Sequence, residues 1–64
     1  MVNQFKQFKA IISLKNGMKK VERMSKEEVA HLVYYFRRAN KFGGEIMSAR
    51  IIWERSHDLY LELN

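Results

Sequence analysis

Residues 45–64 read EIMSARIIWERSHDLYLELN, and how they fold decides the architecture of the chain. Taken as strands, ARIIWE and LYLEL are β-branched and aromatic runs separated by RSHD, a group of poor helix formers suited to a turn. Leu59, Leu61 and Leu63 then share one face. Taken as a helix, Ile46, Ala49, Trp53, Tyr60 and Leu63 fall on a heptad seam interrupted by Ser56, and Ile51, Ile52 and Leu61 lie outside it. The hairpin accounts for more of the apolar side chains and is the favoured reading.

The opposite end of the chain also reads as a hairpin. In FKAIISLKNGMKKVERM (8–24), Asn16-Gly17 is a strong two-residue turn signal, because both central positions of a type I′ turn need positive φ. Such a turn pairs Lys15 with Met18 and Ile12 with Val21. Phe8, Ala10, Ile12 and Leu14 then line one face, and Lys9, Ile11, Ser13 and Lys15 line the other. The second strand carries Lys19, Val21 and Arg23 on its core side, which requires the two cations to snorkel from an edge.

Between the hairpins, SKEEVAHLVYYFRRANKFGG (25–44) has the punctuation of a helix. Ser25 and Glu28 form a capping box, and Met24 and Val29 occupy the hydrophobic-staple positions. Arg37, Arg38 and Lys41 complement the dipole in the last turns, and Gly43-Gly44 supply the stop. Val29, Leu32, Val33, Phe36 and Ala39 make the core stripe. Tyr35 and Phe42 widen it to about half the circumference, beyond the ~100° arc of an ordinary surface helix. Tyr34, Arg38, Lys41 and His31 lie on the wetter side. The expected fold is therefore α+β, in the order ββαββ: a small antiparallel sheet with one helix across a face. It comprises a hairpin over 5–24, a helix over 25–43 and a second hairpin over 46–63, within one domain spanning 1–64. If 46–63 were helical instead, a basic ribbon would precede two helices, an order in which residues 18–63 look like a ribbon–helix–helix repressor. The residues depart from that pattern, since MKKVERM lacks strict alternation and GGEIMSA offers no second-helix cap, so the family is not assigned.

Composition bounds the function. Sixty-four residues bury roughly 60% of their unfolded surface and support about 3–5 kcal/mol of stability unless something staples them. There is no Cys for a disulfide or thiolate metal site, and two His are too few for a His-rich one. Self-association is the staple left, and 47% hydrophobic content allows it. No apolar run approaches the ~20 residues that span a bilayer, and MVNQFKQFKA has no signal-peptide pattern. The expectation is a cytoplasmic protein with no membrane partner.

Charge divides unevenly. Residues 1–26 hold seven of the twelve Lys/Arg and one acid, Glu22, whereas residues 27–64 hold five bases and six acids. A cationic leading segment points to an anionic partner. Lys9, Lys15, Lys19, Lys20, Arg23, Arg38 and Lys41 are the candidate nucleic-acid contacts. Most are Lys, which meets phosphate as a point charge and lacks the bidentate fork that reads guanine. Phosphate-driven, weakly sequence-selective binding to DNA or RNA by a regulatory protein is the leading expectation. The alternative is a protein-interaction module, such as a small inhibitor or adaptor of the kind encoded by phages and mobile elements. It would dock Tyr35, Phe42 and Tyr34 against a larger protein or a second copy. Glu27, Glu28 and His31, or Glu54, His57 and Asp58, are the nearby acid–base groupings. The first lacks the further carboxylates of a di-iron site, and the second lacks a nucleophile-elbow pattern. No catalytic residue, metal, cofactor or small-molecule substrate is expected, and the protein is read as not an enzyme.

Overall fold

The computed structural model describes residues 5–39 and 44–64. Within them the chain forms β1 (Phe8–Leu14), β2 (Lys19–Met24), α1 (Lys26–Ala39), β3 (Ile46–Trp53) and β4 (Leu59–Leu63). The strands make one antiparallel sheet in the order β2-β1-β3-β4. This is the expected ββαββ order. Residues 46–63 form a hairpin, which excludes the ribbon–helix–helix arrangement.

Alternation along β1 and β3 sends Phe8, Ala10, Ile12, Ala49 and Ile51 to one face, where they are at most 4% exposed. Met24, Leu63 and the helical Val29, Leu32 and Phe36 complete this core. The helix lies over β1 and β2. Its start is fixed by the expected capping box: Ser25 N–H donates to Glu28 Oε1 at 2.9 Å, and Glu28 N–H donates to Ser25 Oγ at 3.3 Å. Met24 and Val29, the staple pair, are both buried. Of the stop signal, Gly43 lies outside the described residues, as do Lys41 and Phe42.

The first turn differs from the expectation, and every residue of β2 changes face as a result. Of the Asn16-Gly17 pair only Gly17 has positive φ, at 91°, so the turn is not type I′. Gly17 N–H donates to Leu14 O at 3.0 Å and Leu14 N–H donates to Met18 O at 2.8 Å, closing a three-residue loop with a left-handed glycine at its end. Asn16 instead braces the loop by accepting from Met18 N–H at 2.9 Å. The extra loop residue moves the register by one, so that Ile12 pairs with Lys20 and Ile11 with Val21. Lys19, Val21 and Arg23 therefore face away from the core. They join Lys9, Ile11, Ser13, Ser48, Arg50 and Ile52 on the sheet face that α1 does not cover.

The second hairpin also departs in detail. A bulge between Ile51 and Ile52 sets Leu59 opposite Ile52, so Leu59 leaves the face of Leu61 and Leu63 and is half-exposed. Its turn places His57 at φ 63°, with His57 N–H donating to Trp53 O and Trp53 N–H to Asp58 O, both at 2.8 Å.

Candidate functional site

The two ends of the sheet are built differently. One end, the capped end, holds the helix start at Ser25, the Phe8–Met24 and Phe8–Trp53 pairs and the β3–β4 turn. The other, the turn end, holds the β1–β2 loop and the start of β3, where Leu14 pairs with Ile46 and Lys15 N–H donates to Glu45 O at 2.8 Å. A 14-residue helix is about 21 Å long and β1 about 23 Å. Starting beside Met24 and leading to β3, α1 thus carries its basic last turn, Arg37 and Arg38, back towards the turn end.

Lys15, Lys19 and Lys20 sit around that end, all exposed; Glu45 pairs through its backbone beside Lys15, and Glu22 shares the helix-side face of β2 with Lys20. None of the three lysines is in an ion pair with a described residue. Arg38 is held against Tyr34, with Nη1 donating to the phenol oxygen at 3.0 Å and the guanidinium 5.4 Å from the ring centre. Lys9 stands on the open face opposite Arg23. Of the predicted contacts, Lys9, Lys15 and Lys20 are thus divided among the open face, the loop and the helix-side edge. Lys9, Lys19 and Arg23 are the set that shares a face.

At the capped end, cations meet acids. Lys6 Nζ lies 3.2 Å from Glu28 Oε1, and Arg23 Nε lies 2.8 Å from Glu54 Oε2. The backbone N–H of Ser25 and the Lys6 ammonium hold the Glu28 carboxyl below its ordinary pKa. Arg50 and Glu62 make a looser pair at 3.8 Å on the open face. Beneath these pairs Phe8 is clasped by Trp53 and Tyr60, with ring centres 4.5 Å away in each case, and Trp53 meets Tyr60 edge-on at 5.3 Å.

Next to this aromatic group a cleft of about 490 Å³ opens between residues 5–7 and the β3–β4 turn. Phe5 and Trp53 contribute aromatic walls, while Lys6, Arg23, Arg55 and Glu54 contribute charge. The sequence reading picks out neither Phe5 nor Arg55, because the cleft joins segments nearly fifty residues apart and no spacing marks it. Of the predicted docking residues, Tyr34 is 63% and Tyr35 50% exposed. Phe42 lies outside the described residues.

The two acid–base groupings of the sequence have structural engagements. Glu28 is committed to the helix cap and Lys6, and His57 serves a left-handed turn position. Among the described residues no three His, Asp or Glu side chains gather as a metal site. The chain matches no family model, no curated protein and no solved structure.

Proposed function

We propose that this is a non-enzymatic nucleic-acid-binding protein that holds the phosphate backbone through its turn end, with the open sheet face continuing the contact. One observation carries the reading: Lys15, Lys19 and Lys20, all exposed, gather at the end towards which Arg37 and Arg38 run, and none of the three is in an ion pair among the described residues. Exposed cations without intramolecular partners release condensed counterions when they meet phosphates. Lysine also suits backbone contact better than base readout. The open face adds Lys9 together with Arg23 and Arg50, each of the two arginines half-committed to a carboxylate.

A salt titration of binding to a labelled generic duplex tests this. Log affinity should fall with log salt by about 0.9 per phosphate contacted, and changing Lys15, Lys19 and Lys20 together to Gln should flatten the slope by roughly two to three. An unchanged slope in that variant would sink the assignment to the turn end. A second reading, docking of a protein partner or a second copy, is favoured by the half-exposure of Tyr35 beside the buried helical stripe. Its check is Tyr35→Ala: a folded chain that loses self-association in light scattering supports it, and unchanged scattering with salt-dependent binding intact favours the first.

A further inference from the structure

The cleft at the capped end is not used by phosphate binding at the turn end, yet its composition matches one part of the same ligand. We infer that it receives an unpaired base of a single-stranded nucleic acid, stacked against Trp53 and Phe5, an inference that rests on the phosphate-binding reading above.

Trp53 is a prepared platform. Phe8 supports its ring and Tyr60 meets it edge-on, so its orientation is set before any ligand arrives, yet 38% of the residue stays exposed and it lines the cleft. Phe5, 70% exposed, lines the same cleft from the N-terminal segment. Aromatic rings in such a position bind bases through their π-faces with little sequence preference. The charge is right as well. Lys6, Arg23 and Arg55 face a single lining carboxylate, Glu54, and Arg55 has no ion-pair partner among the described residues. A phosphate next to a stacked base has a cation waiting for it.

Position supplies the remaining argument. Arg23 belongs to both the cleft and the open face, where it stands directly across from Lys9, and Gln7 of the cleft lies two residues before Lys9. A strand held at Lys19 and Lys9 therefore meets the cleft without leaving the sheet. At about 490 Å³ the space is of small-ligand size, sufficient for a nucleoside. A base in an intact duplex is stacked and paired, so it has no free face to offer. The cleft thus makes the protein prefer single strands over the duplex its lysines would also attract.

The chain has one tryptophan, which makes the test direct. Trp53 emission is followed while the whole protein is titrated with an oligothymidylate strand and, separately, with an abasic strand carrying the same number of phosphates. The expected result is that the thymidylate strand quenches Trp53 at least twofold, and that the abasic strand binds with a similar salt slope but without quenching. Phe5→Ala, at an exposed residue, should weaken the thymidylate strand by about fivefold to a hundredfold and leave the abasic strand unaffected, whereas Arg55→Gln, which removes a phosphate contact, should weaken both strands. Equal quenching by both strands, or saturable binding of thymidylate with no change in emission, would overturn the cleft assignment while phosphate binding stands. Failure of both strands to bind would overturn the phosphate reading and the cleft with it.

Discussion

At the capped end of the sheet, Lys6 and Arg23 each have a carboxylate within 3.2 Å, and three aromatic rings close over the strand ends. At the turn end, three exposed lysines surround a loop held by backbone hydrogen bonds and one asparagine. The two ends spend their charge in opposite ways. Pairing of Lys6 and Arg23 lowers the field at the capped end, where aromatic surface and Arg55 remain exposed. Lys15, Lys19 and Lys20, in no ion pair among the described residues, cost a little self-repulsion and keep their field unscreened by a carboxylate partner. One end is thus rich in ion pairs and ring contacts, the other in exposed cations. A chain of this size has little stability to divide, and the division is asymmetric.

The largest effect belongs to the capped end. Phe8 is 1% exposed and touches both Trp53 and Tyr60, so Phe8→Ala removes the centre of the aromatic group and should cost about 3–5 kcal/mol. That equals the whole stability expected for so short a chain, and circular dichroism should show an unfolded or molten protein. By contrast, the triple lysine-to-glutamine variant of the turn end should keep its urea midpoint within the shift expected of about 0.5 kcal/mol. If the lysine variant unfolds and Phe8→Ala does not, the contrast between the ends has been drawn the wrong way round.

Next in size is the helix cap. Ser25 is 1% exposed and exchanges two hydrogen bonds with Glu28, so Ser25→Ala should lower stability by about 1 kcal/mol in urea denaturation. A gain follows at the β3–β4 turn. His57 holds a left-handed backbone, φ 63°, which costs a non-glycine residue about 1–2 kcal/mol. His57→Gly relieves that strain at some cost in chain entropy, and a net rise of about 0.5–1 kcal/mol is expected. A fall would mean that the imidazole makes a contact the turn depends on.

These elements also show where the residues declare the fold and where they do not. The capping box, the helix and both hairpins are local events, each signalled by residues three or four apart, and all of them are present. The ββαββ order follows from their sequence. What was not legible is decided by one residue of loop length. Asn16-Gly17 is compatible with a two-residue loop and with a three-residue loop ending in a left-handed glycine. Choosing the first sends Arg23 and Lys19 to the core side, and choosing the second sends them to the open face. The same sensitivity acts at Ile51/Ile52, where a bulge turns Leu59 away from Leu61. A site assembled from faces inherits every such error. The cationic character of the first hairpin was therefore readable, but which of its cations share a face was not. The cleft was beyond reach because Phe5 and Arg55 become neighbours only through the β1–β3 pairing.

The smallest effect separates the ends through pH. Glu28 accepts from the Ser25 backbone N–H and pairs with Lys6, and both interactions favour its charged form, so its folded pKa lies below its ordinary value of 4.5. A depressed carboxylate contributes stability that is present above its unfolded pKa and lost as pH falls through the folded one. Stability should accordingly hold steady from neutral pH down to about 4.5 and decline below it. Glu28 is 42% exposed and Lys6 43%, so water and salt screen the pair and the decline is shallow. Glu28→Gln can retain the hydrogen bond to Ser25 N–H while removing the titration, and its urea midpoint should lose this component of the acid dependence. Equal acid sensitivity in Glu28→Gln and the parent would mean that Glu28 is not the carboxylate responsible.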